Sequence, residues 1–259
     1  MLKERLIRVY SSRGILREMC LRQLKTRYAG SRLGIWWAVV TPLLMALSIN
    51  FVFNSILKIE IENYTLFVLA GMIPWFFFTS ALEQATGSFL TNASIIRQGI
   101  FPREFVPLSV ILANLLNFLI GLLILLPVFV LFKPCLVMLA PGLVPVIFLH
   151  LVLIIGIGLI FCVVNVFFRD LGYFLSTAFM VWFWVTPVFY SPEMLPDSLS
   201  WIISVNPMSY FVLSYRLILY QGQLPSFTDI FSLFLIAALF FIAGYAFFLK
   251  NETALLKRL

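Results

Sequence analysis

The sequence predicts an all-α integral membrane protein with six transmembrane helices. Three observations carry this prediction: an apolar composition, six long apolar runs, and an uneven distribution of lysine and arginine. Of 259 residues, 62% are hydrophobic and 11% are charged, and the mean hydropathy is +1.05. A soluble domain needs more polar surface than this to cover its core, so the composition indicates a chain that lies in lipid.

Six runs are long enough to cross a bilayer, whose hydrocarbon core requires roughly 20 consecutive apolar residues per helix. Backbone polar groups find no water inside lipid, so each run is predicted to be helical. Residues 1–259 are therefore interpreted as a single transmembrane domain. The six predicted spans are residues 34–57, 64–83, 107–132, 139–168, 171–190 and 230–249.

The placement of lysine and arginine predicts that both termini are cytoplasmic. With the N-terminus inside, Lys58, Lys133 and Arg216 fall outside, and the other fifteen of the 18 basic residues fall in cytoplasmic segments. Five acidic residues lie on each side, so the bias concerns basic residues alone, as the positive-inside rule requires. Residues 1–33 are predicted to be cytoplasmic or interfacial, and residues 250–259 to form a cytoplasmic tail.

Two amphipathic helices are predicted before the first span, each with an apolar face opposite a charged face. Such helices lie in the membrane interface with the basic side toward anionic headgroups. The pattern fits lipid anchoring alone, and it equally fits a polar face that also docks a cytoplasmic protein. The apolar faces are formed by Leu2, Leu6, Val9 and Tyr10 in the first helix and by Ile15, Leu16, Met19, Cys20 and Leu24 in the second.

The segment 191–229, between the fifth and sixth spans, is predicted to lie on the outer side. Its stretches Leu199–Val205 and Tyr210–Leu213 are too short to span and too apolar for an ordinary loop. A pair of re-entrant or interfacial helices hinged at Asn206–Pro207 fits this pattern. The pair would form either a structural cap or a lid over an exit.

Groups able to carry out catalysis are scarce in this sequence. His150 lies alone in the fourth span and is interpreted as a structural histidine, while Glu83 is expected to pair with an arginine of the N-terminal helices. The cysteines have no disulfide or metal-binding spacing, and no nucleotide-binding glycine loop is present. The predicted midplanes carry almost no ionisable groups, which argues against an ion-coupled transporter. We expect no catalytic or metal-ligating residue, so energy for transport would come from another polypeptide.

The stretch Asn92–Leu108 is therefore the main candidate for contact with such a partner. It is a short polar interruption between two apolar runs on the cytoplasmic side. Pro102 and Pro107 restrict its backbone, and Arg103 and Glu104 offer charges for pairing. A force-transmitting contact needs a short element rigidly joined to two spans, although a plain connector also fits the pattern.

Five segments, in order, resemble the permease subunit of ABC transporters that export lipid-linked polysaccharides such as O-antigen, capsule and teichoic acid. The resemblance covers nearly the whole chain, and each segment lies on the side of the membrane that the charge distribution predicts. One departure is Thr41, where relatives often carry Asn. The five segments are Arg27–Trp37 with Thr41–Pro42, Asn92–Ile96 with Phe101–Leu108, Phe167–Leu171, Thr186–Pro192, and Asn206–Tyr210 with Tyr215–Arg216.

The resemblance implies a homodimer that works with two copies of a separate ATPase subunit, which would bind ATP and Mg²⁺; this chain would hold no cofactor. Residues 92–106 would form a coupling loop set into the ATPase, and the basic face of the N-terminal helices would lie beside it. The implied coupling residues are Ile95, Ile96, Arg97, Phe101, Pro102, Arg103 and Glu104, and the implied interfacial residues are Arg17, Arg22, Lys25, Arg27 and Arg32.

The resemblance also places the pore between two protomers, along the first and fifth spans. Tryptophan and tyrosine at span ends are ordinarily interfacial anchors, and aromatic faces also suit passing sugar rings. Both interpretations remain open for each of these side chains. The pore candidates are Trp36, Trp37, Phe51, Tyr173, Trp182, Trp184 and Tyr190, and the outer gate candidates are Glu193, Asp197, Asn206, Pro207 and Arg216.

The expected function is export of a polyprenyl-pyrophosphate-linked polysaccharide, O-antigen before other glycans, across the bacterial cytoplasmic membrane. Partners would be a second copy, the ATPase, the lipid-linked glycan and membrane lipids, with no nucleic acid. Two alternatives are an ABC exporter of small hydrophobic drugs or lipids and a non-transporting membrane scaffold. Drug exporters of this type often have larger extracellular insertions, and a scaffold needs neither a coupling loop nor a gate.

Overall fold

The computed structural model describes residues 11–56, 58, 61–97 and 101–258, and every regular element in these ranges is helical. The first predicted amphipathic helix, residues 98–100 and the side chain of Ile95 lie outside the described part. The helices are α1 (Arg13–Tyr28), α2 (Trp37–Asn50), α3 (Tyr64–Thr91), α4 (Ala93–Arg97), α5 (Phe105–Phe132), α6 (Leu136–Leu139), α7 (Leu143–Phe167), α8 (Leu171–Val185), α9 (Ser200–Val205), α10 (Pro207–Arg216) and α11 (Phe227–Arg258).

Short turns of other helical types extend several of these elements. A 3₁₀ turn opens α2 and another joins α6 to α7, so each becomes one longer helix. The 3₁₀ turns are Gly34–Trp36, Ala140–Gly142, Pro192–Met194 and Asp197–Leu199, and π-helical turns follow α2 at Phe51–Ile56 and α10 at Leu217–Gln221.

Among the described residues, five helices are long and apolar enough to cross a membrane, which confirms five of the six predicted spans. The predicted second span ends too early, because α3 continues to Thr91. Pro107, predicted in the first turn of the third span, is the third residue of α5, where a missing N–H costs no hydrogen bond. The five spans are Gly34–Asn54, Tyr64–Thr91, Phe105–Phe132, Leu136–Phe167 and Phe227–Leu255.

The predicted fifth span, residues 171–190, is helical only as far as Val185. The resulting 15-residue helix α8 is about 22 Å long, short of the roughly 30 Å of a bilayer core. The helix stops because Thr186 precedes Pro187, and a residue before proline avoids the α conformation. Thr186 is indeed extended, with φ −84° and ψ 138°.

Helices α9 and α10 form the predicted hinged pair. Asp197–Val205 and Pro207–Gln221 meet at an angle of 94°, and the break falls at Asn206–Pro207 as the sequence predicts. Asn206 is extended and caps α10, since its side-chain oxygen accepts from the Met208 N–H at 3.0 Å. If this pair counts as one span, the described part of the chain has up to six spans.

Helix α3 lies at the centre of the bundle and is the most buried of the long helices. It packs against α2, α5, α7, α8 and α10. Helix α8 packs on α3 and α7, and α2 packs on α3 and α5. Each of these two outer helices keeps one face without a neighbour among the described residues.

Helix α11 packs against α7 at very short range. A Cβ atom on Gly244 would collide with the backbone carbonyl of Gly156, and one on Gly156 would collide with the backbone of Phe240. Small residues allow such close backbone approach between helices in membranes, where packing drives association. The predicted tail at residues 250–259 is not a separate element, because α11 continues without a break to Arg258.

Candidate functional site

The helix ends that are predicted to be cytoplasmic pack into a small hydrophobic cluster, which we call the cytoplasmic core after that prediction. The cluster joins α3, α4, α5, α7 and α11, and Met19 of α1 packs against it. Residues 92–97 and 101–106, the described parts of the predicted coupling loop, are therefore fixed to the ends of several helices at once. The buried members are Phe89, Ile96, Val106, Leu159, Cys162, Val163, Val166, Phe248 and Leu255.

The predicted coupling residues lie at different depths in this arrangement. Ile96 is buried in the cytoplasmic core, Phe101 packs partly against it, and Pro102 is buried. Arg97 is exposed at the end of α4. The segment thus has a buried side that packs against the bundle and an exposed side that carries Arg97.

Arg103 and Glu104 were expected to offer charges to a partner, but one is paired within this chain and the other is buried. Arg103 forms an ion pair with Glu252 of α11, with 2.9 Å between Nη1 and Oε1. Glu104 is only 3% exposed, so it does not present a carboxylate to a docking protein. Glu252 is the partner that the sequence did not reveal, because 149 residues separate the two side chains.

Helix α1 is amphipathic as predicted and lies along the start of α5. Cys20 is buried, which raises the pKa of its thiol. The predicted interfacial residues Arg17, Arg22, Lys25, Arg27 and Arg32 are all exposed.

Two side chains at the end of α1 attach it to α5. Arg27 donates to Asn114 Oδ1 at 2.7 Å, and the Tyr28 hydroxyl donates to Asn117 Oδ1. Arg27 thus binds an amide of α5 and not Glu83; Arg5 and Arg8, two other arginines with which Glu83 was expected to pair, lie outside the described residues. Sequence reasoning missed both asparagines, although their i, i+3 spacing on an apolar helix was an available signal.

On the opposite side of the bundle, the predicted gate residue Arg216 lies inside a cage of backbone carbonyls. Its Nη2 donates to Pro187 O at 2.7 Å and to Val188 O at 2.8 Å, and its Nη1 donates to Tyr190 O at 3.3 Å. The guanidinium also lies 3.7 Å from the ring centre of Phe67. Arg216 is 2% exposed and makes no ion pair with a described residue, so carbonyl dipoles and the aromatic ring compensate its charge.

Further hydrogen bonds fix the position of residues 186–190, which we call the outer bend. The Tyr64 hydroxyl of α3 donates to Phe189 O at 2.5 Å. Asn206 donates to Thr186 Oγ1 at 2.9 Å and accepts from Trp182 Nε1 at 3.0 Å. The outer bend is thus tied to α3, α8 and α10 together.

A glycine of α3 makes room for this arrangement. A Cβ atom on Gly71 would stand 3.1 Å from Val188 O and 3.2 Å from Arg216 Nη2. Of the other gate candidates, Pro207 is the first residue of α10, while Glu193 and Asp197 are exposed. Glu193 accepts a local hydrogen bond from the Ser191 hydroxyl at 2.9 Å.

The aromatic pore candidates divide into an exposed set and a packed set. Trp182 is partly buried among Trp75, Phe78 and Phe179 and binds Asn206, and the Tyr190 hydroxyl donates to Val185 O. These two side chains have structural contacts on this protomer. The exposed candidates on α2 and α8 are Trp36, Trp37, Phe51, Tyr173 and Trp184, with Tyr173 as much as 83% exposed.

His150 has a structural environment. It is fully buried against the rings of Phe77, Phe78 and Phe211, with Nδ1 3.4 Å from the Tyr215 hydroxyl oxygen. Within the described ranges no group of three or more His, Cys, Asp or Glu side chains is placed to hold a metal ion. All three cysteines are free thiols.

A bundle with five apolar helices of membrane-spanning length among the described residues defines an integral membrane protein. Residues 16–220 match the family of ABC-2 type transporters, and the chain belongs to that family.

The chain is similar to curated proteins along most of its length. It is 36% identical to an O-antigen export system permease protein RfbA of Klebsiella pneumoniae over 236 residues, 88% of each chain. It is 30% identical to a protein of the same name from Myxococcus xanthus, over 85% of this chain and 86% of the relative. The polysialic acid transport protein KpsM of Escherichia coli is 26% identical over 91% of this chain and 93% of its own.

Proposed function

We propose that this chain is the channel-forming subunit of an ATP-driven exporter. Its cargo would be a polyprenyl-pyrophosphate-linked polysaccharide, O-antigen before other glycans, carried across the bacterial cytoplasmic membrane. The observation that carries the proposal is the similarity, at 36% and 30% identity over most of both chains, to permeases named for O-antigen export.

The uncovered faces of α2 and α8 support a homodimer with the pore between the protomers. Both helices carry large exposed apolar side chains and have neighbours on one side only. A second copy covering these faces would place the exposed aromatic candidates along the seam. Their broad rings would contact sugar units without binding any one of them tightly.

The cytoplasmic core supports coupling to a separate ATPase that binds ATP and Mg²⁺. Because residues 92–97 and 101–106 are fixed to α3, α5, α7 and α11 through shared packing, a push on this segment would displace several helices together. The closure of two ATPase subunits would be transmitted in this way to the dimer seam.

Deletion of this chain from its host tests the function. We expect the glycan to disappear from the cell surface and the polyprenyl-linked glycan to accumulate in the cytoplasmic membrane, with both effects reversed by the wild-type chain. Unchanged surface glycan together with no accumulation would overturn the proposal. Increased sensitivity to hydrophobic drugs without a glycan defect would instead indicate the drug-exporter alternative.

The Arg103–Glu252 pair gives a sharper test of the coupling segment. Arg103→Glu should replace the ion pair with Glu252 by repulsion between two carboxylates, displace the segment and reduce both ATPase association and export. Glu252→Arg added to Arg103→Glu restores opposite charges and should recover most of both activities. The measurement is co-purification of the ATPase and surface glycan for the single and double variants.

The double variant decides between two roles of Arg103. If Arg103 contacts the ATPase directly, Glu252→Arg brings no recovery, and the internal positioning role is wrong. Glu252→Gln serves as a mild control, since a partly exposed ion pair contributes about 1 kcal/mol or less and the segment should remain packed through Ile96.

The native cysteines test the proposed orientation without any engineered site. Cys135, between the third and fourth spans, is exposed, whereas Cys20 and Cys162 are buried. With cytoplasmic termini, Cys135 faces outward, so a membrane-impermeant maleimide should label it in intact spheroplasts. Cys135→Ser should abolish this labelling, and labelling that requires membrane disruption would contradict the orientation.

A further inference from the structure

A cavity of about 210 Å³ lies between α1, α2, α3 and α5, and we call it the inner cavity. It has a polar end and an aromatic end. The polar end is lined by Arg27, Tyr28, Ser80, Asn114 and Asn117. The remainder is lined mainly by Trp37, Phe76, Phe77, Phe118 and Leu125.

The polar end is organised by hydrogen bonds from the buried face of α5. Asn114, only 2% exposed, accepts from Arg27 and donates to Gln84 Oε1 at 3.1 Å. This contact orients the guanidinium at the cavity while using one of its five N–H donors. Among the described residues Arg27 has no carboxylate partner, so its charge and remaining donors are available to an anion.

The position of the cavity along α5 matches the boundary of the cytoplasmic leaflet in the proposed orientation. Helix α5 has 28 residues and is about 42 Å long, roughly 12 Å more than a bilayer core. Asn114 lies nine residues after its start, about 14 Å along the axis. Lipid headgroups therefore meet the polar end, and lipid chains meet the aromatic end.

The size of the cavity limits what fits inside it. A volume of about 210 Å³ is many times the roughly 10–15 Å³ that one water molecule needs. This is enough for a phosphate group and the first carbons of a chain. The exposed side chains of Trp37 and Thr41 at the cavity wall leave a way out for the rest of the chain.

We propose that the inner cavity binds the phosphate end of a membrane lipid. The phosphate oxygens accept from Arg27 and the Asn117 amide, and the first carbons of the chain lie against Trp37 and Phe118. Two lipids carry this chemistry, a bulk phospholipid and a polyprenyl phosphate. Binding of a polyprenyl phosphate rests on the proposed export function, whereas binding of a bulk phospholipid does not.

Lipid retention by the full-length protein tests the site. The protein would be purified from nanodiscs of phosphatidylcholine that contain phosphatidylglycerol or polyprenyl monophosphate, and bound lipid counted by native mass spectrometry. We expect one retained anionic lipid per chain. Arg27→Gln should reduce retention about tenfold or more, because a charged hydrogen bond is replaced by a neutral one.

Two further variants separate binding from the attachment of α1. Ser80→Leu fills the cavity while leaving the Arg27–Asn114 contact in place, and it should also abolish retention. Arg13→Gln removes the same charge at the opposite end of α1, away from the cavity, and should retain lipid like the wild type. Equal retention by Ser80→Leu, Arg27→Gln and the wild type would overturn the proposal and leave a water-filled cavity.

Competition between the two probes identifies the source. Displacement of phosphatidylglycerol by polyprenyl monophosphate assigns the site to the carrier lipid, and the reverse preference assigns it to the surrounding bilayer. Both results support a lipid phosphate site. Lipid retention is measured without transport, so its absence would not contradict the proposed export function. A deletion without a glycan defect would likewise not contradict binding of a phospholipid.

Discussion

Replacing Arg216 with glutamine should be among the most destabilising single changes in this protein. Three backbone carbonyls, those of Pro187, Val188 and Tyr190, would lose their charged donor. Each buried acceptor left without a donor costs about 1–3 kcal/mol. We expect a clear fall in the apparent melting temperature in detergent and loss of export, both measured on the intact protein.

Two variants show whether the cage geometry is the cause. Arg216→Lys keeps the charge but lacks the planar set of donors that reaches three carbonyls, so it should recover only part of the stability. Lys133→Gln removes an exposed positive charge on the same side and should leave the melting temperature unchanged. An Arg216→Gln protein as stable as the wild type would show that the cage does not hold the outer bend.

Replacing Gly244 with alanine should separate α11 from α7. The added methyl group would overlap the backbone carbonyl of Gly156. Neither group can rotate away, because the Cβ atom and the carbonyl are both fixed by the helix backbone. Helix propensity alone would favour alanine by about 1 kcal/mol, so a net loss of stability is a direct sign of the clash. Thermal stability and resistance to proteolysis in detergent are the measurements.

Gly87 provides a matched control on α3. A Cβ atom there meets nothing within 4 Å, so Gly87→Ala should be neutral or slightly stabilising. Equal behaviour of Gly87→Ala and Gly244→Ala would mean that α11 and α7 are not in close backbone contact. The comparison also tests the cytoplasmic core, since Phe248 and Leu255 reach it through α11.

Much of the fold was predictable because apolar length and proline placement act locally. The break at Asn206–Pro207 and the start of α5 near Pro107 follow from the restricted geometry of proline and the residue before it. The predicted length of the fifth span was wrong for a related reason. The apolar run continues past Val185, but Thr186–Pro187 ends the helix. Hydropathy predicts how long an apolar segment is, but it does not show where a proline ends the helix.

The contacts that define the candidate site were less accessible to sequence reasoning. Arg103 and Glu252 are 149 residues apart, and Arg27 and Asn114 are 87 residues apart. Arg216 was selected as a gate residue by resemblance, yet its acceptors are backbone carbonyls, which carry no residue-specific signal. Which long-range pairs meet depends on how the helices pack, and the apolar pattern of a membrane span leaves that packing open.

In the proposed orientation the carbonyl cage lies on the outer side of the cytoplasmic membrane, where the pH changes with the surroundings. Carbonyl oxygens do not take up protons in the physiological range, and the ionisable neighbours of Arg216 are the phenols of Tyr64, Tyr190 and Tyr220, which ordinarily ionise near pH 10. No carboxylate within the described ranges pairs with this arginine. Acid in the external medium therefore removes no acceptor from the guanidinium, and the outer bend keeps its hold on α10 in mildly acidic and neutral surroundings alike.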